Sequence, residues 1–215
     1  GKYKANIVDF KVMNDTPAGQ QFTVQSGNLL YYGYGVNDVP AETGVKLEPG
    51  EEKTFTTKQV LNIGDPVRIY SAQNLQKVDL SPLMSRLTQL GVTGVYDEVN
   101  GSMLKKLILG NGTSVNTGLS EISGLDMAKS LEELDIRGMK SLSNVGIGGI
   151  VTLKSFRAEN SGLTSFVPAE GALLTEVSLP GTLTAMTLRS LSYLESFSIE
   201  NAGRNLATIQ MLGCP

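Results

Sequence analysis

The chain has 215 residues, with 18 basic and 21 acidic side chains, a net charge of −3 and no histidine. Charge so sparse and so balanced excludes an electrostatic footprint for nucleic acid or an anionic membrane. The missing histidine removes the commonest general acid–base group, the Ser-His and Cys-His nucleophile systems and His-containing zinc sites, while the single Cys214 makes neither an intrachain disulfide nor a thiolate cluster. In chain order, "ANIVDFKV" and "QFTVQ" alternate apolar and polar residues at period two, the pattern of half-buried strands. "VKLEPGEEKTF" adds a strand, a Pro49-Gly50 turn and a polar run into Phe55. Residues 1–70 therefore read as a β-sandwich-like N-terminal module that caps the remainder of the chain. Its cluster of Tyr31, Tyr32 and Tyr34 is read first as strand packing and second as a glycan-stacking platform, because tyrosine offers a flat amphipathic face.

From Leu75 onward one phrase, Leu-x-x-apolar, recurs at Leu75, Leu87, Leu104, Leu119, Leu131, Leu142, Leu153, Leu163, Leu174, Leu183, Leu194 and Leu206. It often extends to L-x-x-φ-x-φ, where φ is apolar, as in "LKKLIL", "LEELDI" and "LESFSI". Such periodicity marks a solenoid, whose units cannot bury their apolar side alone. Every second phrase belongs to one series, and within each series the spacing settles to 20–23 residues. Residues 71–215 are thus expected to form coils holding two short strands, one on each side of a flattened tube. Seven residues after each leucine of the first series stand Pro82, Asn111, Gly138, Asn160, Gly181 and Asn201, a column suited to sharp exits from strands. Between 119 and 131 there is room for a short helical turn.

The alternation assigns inside and outside. Leu107, Leu134, Phe156, Val177 and Phe197 should occupy neighbouring inward rungs, so Leu134→Asp should be severe. Asp135 is expected outward, and its loss mild. The first face then presents Lys105, Lys106, Glu132, Glu133, Asp135, Arg137, Lys154, Arg157, Glu159, Glu176, Glu195 and Glu200. Of these, Glu133, Asp135, Arg137, Arg157, Glu159 and Glu176 form a candidate partner-binding face, with Asp135–Arg157 and Arg137–Glu159 as expected pairs. The second face presents Gly91, Ser123, Gly146, Val167, Thr187 and Gln210, with Leu125, Ala169 and Leu212 nearby, and its low charge makes it a candidate for self-association.

Little else points to chemistry. No phosphate loop is present, and Gly146–Gly149 reads as a tight bend. Glu132, Glu133 and Asp135, and likewise Asp97 and Glu98, are read as solvated rather than glycosidic carboxylates. Glu48, Glu51 and Glu52 lack the spacing of a calcium loop. No catalytic residue, cofactor or metal is expected. Asn14-Asp15-Thr16 and Asn111-Gly112-Thr113 match the glycosylation sequon, a triplet common by chance. No apolar run reaches transmembrane length, so no direct membrane insertion is expected. Gly1 and the stop of "IQMLGCP" inside the repeat pattern point to a piece of a longer protein.

At "LKKLILGNGT", "LEELDIRGMKSL" and "LTEVSLPGTLTAMTLRSLSYLESFSIEN" the chain resembles leucine-rich-repeat proteins. More narrowly it is similar to irregular repeat domains in large surface or secreted proteins of gut Bacteroidales and in tail or virion proteins of their phages. The resemblance covers about residues 66–215, and in one respect the chain departs from it: the usual repeat sets Asn eight residues after the first leucine, whereas this column falls at seven. It implies a non-catalytic module for protein interaction or adhesion, secreted or at the cell surface, with a structural segment of a virion as the alternative and a carbohydrate-binding accessory domain as a remote one. The ligand it implies is a protein or a glycan.

Overall fold

The computed structural model describes residues 6–26, 29–34, 39–46, 48, 50–62, 66–71, 75–94, 104–115 and 117–215; at 6, 29–34, 39–46, 70–71 and 93–94 the description is of backbone only. The described residues form a mainly β protein of sixteen strands and three short 3-10 turns, without an α-helix. Periodicity two near the start becomes strands, and so does the leucine phrase at most positions. The phrases at Leu119 and Leu142 form no strand, so those coils carry one strand and not the expected two.

The first strands are β1 (Asn6–Val12), β2 (Gln21–Ser26), β3 (Leu29–Tyr34), β4 (Val39–Lys46), β5 (Glu51–Thr56) and β6 (Val67–Ser71), followed by β7 (Leu75–Asp79) and β8 (Leu87–Gly94). One sheet runs β4-β3-β6-β1-β8, with every neighbouring pair antiparallel. A second begins β5-β2-β7, also antiparallel. Their inward rows meet: Val8, Phe10, Val12, Phe22, Val24, Phe55, Val67 and Ile69 are all buried. Phe22 meets Phe10 edge-on at 5.9 Å and stacks on Phe55 at 5.4 Å. Such ring pairs contribute about 0.5–1.5 kcal/mol beyond their area. Because β7 bonds to β2 and β8 to β1, the hydrogen bonding passes without a break from the N-terminal strands into the first coil, across residue 70.

The second sheet then continues in parallel through β9 (Lys106–Ile108), β10 (Glu133–Asp135), β11 (Ser155–Arg157), β13 (Glu176–Leu179) and β15 (Ser196–Ile199). The register places Val78, Leu107, Leu134, Phe156, Val177 and Phe197 side by side on successive strands, the rungs expected from the leucine phrase. The opposite side of the tube is more broken. Gly91 bridges Ser123, and a short parallel sheet joins β12 (Ser165–Phe166), β14 (Ala185–Arg189) and β16 (Thr208–Leu212). Phe156 stacks on Phe166 between the two sides at 5.2 Å. Residues 133–212 make about four turns of β-solenoid. The turn expected between 119 and 131 is a 3-10 turn at Leu125–Met127.

Two features of the coils differ from what alternation alone implies. Leu125 and Ala169 are buried, 2% and 4% exposed, because the short turns at these corners fold the side chain back under the coil. The cross-coil stitching is done by threonines. Thr152, Thr182 and Thr184 donate to the carbonyls of Leu131, Leu163 and Thr164 at 2.8, 2.7 and 3.0 Å, and Thr175 reaches Lys154 O at 3.2 Å. The Thr152 and Thr182 hydroxyls reach carbonyls, Leu131 O and Leu163 O, that lie outside the strands. Those of Thr184 and Thr175 add a further donor to Thr164 O and Lys154 O, which already accept backbone N–H groups of the next coil. The sequence signal is a threonine immediately beside the repeat leucine, as at Leu153, Leu163, Leu174 and Leu183.

Candidate interaction face

The outward rows of the parallel sheet carry the charged residues, since the side chains flanking each inward rung point away from the core. One row runs Lys77, Lys106, Glu133, Ser155, Glu176 and Ser196, and the next Asp79, Ile108, Asp135, Arg157, Ser178 and Ser198. Charge changes sign from coil to coil, so ion pairs lie across the strands. Glu132 bridges Lys154 at 3.1 Å and Lys105 at 3.7 Å, Glu133 meets Lys106 at 3.7 Å, and Glu176 meets Arg157 at 3.6 Å. Pairs this exposed are each worth about 0–1 kcal/mol. The expected pairs Asp135–Arg157 and Arg137–Glu159 are replaced by Asp135–Arg137 and Arg157–Glu176.

Asp135 corrects the expectation of a solvated carboxylate. It is 4% exposed and accepts from the Arg137 backbone N–H at 3.1 Å, Nε at 3.0 Å and Nη2 at 2.9 Å. The i,i+2 spacing lets the guanidinium fold over the carboxylate, so an outward position is roofed by its own neighbour. That hydrogen bond, with the charges of Asp135, Glu159 and Glu176, raises the Arg137 pKa against the opposing effect of burial. Asp135→Ala leaves a guanidinium side chain only 25% exposed without its carboxylate. It should cost about 2–3 kcal/mol, lowering Tm by roughly 4–12 °C in a chain of this size. An unchanged melt would return Asp135 to the solvated face.

The Glu132 pKa lies below the ordinary 4.5, first because Lys154 donates a hydrogen bond, and further through the charges of Lys154 and Lys105, with burial opposing. A carboxylate with a depressed folded pKa stabilises above its unfolded value and loses that contribution as pH falls through the folded one. Wild type should therefore exceed Lys154→Ala by up to about 1 kcal/mol above pH 4.5, and the gap should close in more acidic buffer. Urea denaturation at pH 7 and pH 3 reads this directly.

Of the six residues expected to meet a partner, five are thus tied into pairs, while Glu159 Oε2 is buried with no hydrogen-bond partner among the described residues. Tyr31, Tyr32 and Tyr34 lie on β3, but their side chains fall outside the described residues, as do Asp97 and Glu98 altogether. On the less charged side Val167 is 50% and Leu212 65% exposed, while Leu125 and Ala169 are withdrawn into the core. Glu52 pairs with Lys77 at 2.9 Å, and a Glu51 carboxylate oxygen accepts from the Glu48 N–H at 2.8 Å. Among the described residues no three His, Cys, Asp or Glu side chains converge as metal ligands, and no helix is long and apolar enough to cross a membrane. An open polar hollow of about 360 Å³ lies beside Gln89, lined also by Asp9, Lys11, Arg68 and Ser123, with Asp9 held by Arg68 at 2.8 Å. No protein-family model matches the chain, and no solved structure matches it.

Proposed function

We propose that the chain is a non-catalytic protein-interaction or adhesion module of a secreted or cell-surface bacterial protein, its coils leucine-rich-repeat-like and its N-terminal strands a β-sandwich-like cap. One observation carries the reading. On the outward face Glu133, Asp135, Glu159 and Glu176 set four carboxylates against Lys106, Arg137 and Arg157, and Glu159 Oε2 has no hydrogen-bond partner among the described residues. Ion pairs across the coils hold this array flat on a stiff sheet, so its geometry is in place before a partner arrives, which reduces the ordering cost of binding. The surplus acid fits a basic protein surface, and association through it should weaken with salt.

The test is retention of protein-coated beads on epithelial cell layers and on mucin. Retention should fall roughly tenfold in Glu159→Gln/Glu176→Gln, the scale of one interfacial charge pair. It should be unchanged in Tyr31→Ala/Tyr34→Ala. Loss in the tyrosine variant alone moves the site to the N-terminal strands and a glycan ligand, and failure of wild-type beads to adhere removes the reading. A structural segment of a phage tail or virion is the second reading. Neighbouring tail genes would select it.

A further inference from the structure

The hydrogen-bond ladder is interrupted beside β8. Val92 N–H donates to Ser123 O at 2.9 Å and Ser123 N–H to Leu90 O at 3.0 Å. Among the described residues this bridge is the only backbone pairing between β8 and residues 118–123. Two polar hollows meet there, sharing Gln89, Leu90 and Ser123. The first, of about 360 Å³, reaches over Asp9, Lys11 and Arg68. The second, of about 350 Å³, continues over Thr88, Ser120 and Glu121. Each lies within the range of about 300–1,000 Å³ typical of small-ligand sites.

Alternation along β1 and β8 decides what these hollows present. Phe10 and Leu90 turn into the core, 1% and 4% exposed, so Asp9, Lys11, Gln89 and Gly91 point outward. Asp9 stands opposite Arg68 and binds its Nε at 2.8 Å, so those two charges cancel. Lys11, half-buried and opposite Gln89, has no ion pair or side-chain hydrogen bond among the described residues. The first hollow therefore keeps one uncompensated positive charge. Leu90, with its side chain withdrawn, meets both hollows with its backbone. Its carbonyl and Val92 N–H both serve Ser123, so the Leu90 N–H faces the same edge, where no described group accepts it. A donor so placed calls for an acceptor. A Cβ on Gly91 would lie 2.9 Å from Ser123 Oγ, and the bare residue keeps the space open.

We propose that the joined hollows bind a sugar acid. Its carboxylate sits between the Lys11 ammonium and the Leu90 N–H, and its hydroxyls, or those of a second ring, meet Thr88, Ser120 and Glu121. A single uncompensated cation matches a carboxylate better than a phosphate dianion, and Glu121 disfavours a second acid further along. Hydroxyl groups both give and accept hydrogen bonds, as the second hollow requires. None of the lining residues is an exposed large hydrophobic side chain, which argues against an apolar peptide. A free sugar acid and the same acid at the end of a glycan offer this chemistry alike. The site lies in a different sheet from the charged face and does not depend on it.

The full chain should be titrated with glucuronate and with a disaccharide ending in glucuronate, followed by amide NMR. Leu90, Gly91 and Ser123 should shift, with a Kd below about 1 mM. A disaccharide bound about tenfold more tightly assigns the acid to a glycan end, and equal affinity assigns it to the free acid. Glucose and acetate, each carrying half of the chemistry, should bind at least about tenfold more weakly. Lys11→Gln should weaken glucuronate roughly tenfold at an unchanged melting temperature, and Lys105→Gln on the charged face should not. No shift up to about 10 mM overturns the proposal. So does binding that survives Lys11→Gln, or an acidic peptide that displaces the sugar acids. Acetate binding as tightly as glucuronate reduces the site to an adventitious ion only. If Lys11→Gln does not fold, the shift map and the acetate comparison on the wild-type protein decide alone.

Discussion

Leu134→Asp should abolish the cooperative fold of the repeat region. Leu134 is fully buried, with Leu107 and Phe156 beside it in the ladder. Removing its burial costs about 1.5–3 kcal/mol, and an unpaired carboxylate in the same place adds several more. The Arg137 guanidinium lies on the outward side of the strand, bound to Asp135, so it offers no compensation. The sum reaches the 5–15 kcal/mol typical of total stability. Damage at one rung spreads because neighbouring coils share bonds: Glu132 and Glu133 N–H both donate to Lys105 O, and Lys154 and Ser155 N–H both donate to Glu132 O. Circular dichroism should show loss of the sheet signal and of the cooperative melt. Leu134→Ala, at about 2–5 kcal/mol, should remain folded with a lowered midpoint. A Leu134→Asp melt within a few degrees of wild type would sink the assignment of inside and outside.

The ladder is legible in the sequence because the leucine phrase combines two constraints. Period two selects the face, and the 20–27-residue recurrence selects the neighbour, so Leu107, Leu134, Phe156, Val177 and Phe197 are aligned by spacing alone. Pairing of β7 with β2 is not legible. It joins Val24 to Val78 across the four intervening strands β3–β6, and nothing local distinguishes β2 from other alternating segments as the partner. Asp135 is misplaced by the pattern for a related reason. Alternation decides which side of a strand a residue occupies, but burial on the outward side depends on which long side chains lie down over it, and Arg137 does. The threonine stitches do not stand out because Thr is ordinary in strands. The acidic surplus around Glu159 is visible as composition, but the changed pairing of Arg137 and Arg157 that leaves Glu159 Oε2 without a hydrogen-bond partner among the described residues emerges only in three dimensions.

Gly138→Ala is the second large effect, and it separates two reasons for the Gly/Asn column. Gly138, Asn160 and Asn201 all take left-handed angles, φ 86°, 59° and 55°. Asparagine shows that a side chain is tolerated at that angle when there is room. At Gly138 there is none: a Cβ would lie 2.0 Å from Thr113 O in the preceding coil. The residue cannot retreat, because its N–H donates to Glu159 O at 3.0 Å while its own carbonyl accepts from Val115 N at 2.9 Å. Alanine must therefore pry two coils apart and break one of these bonds, at a cost of about 3–5 kcal/mol including the left-handed strain. Gly171 provides the control, with φ 70° and open space where its Cβ would be. Gly171→Ala meets only the backbone term, about 1–2 kcal/mol. Urea midpoints of the two variants should differ accordingly. Equal losses would reduce the column to a matter of backbone angle, whereas the expected gap means that the spacing of coils at this corner is set by the absence of one methyl group.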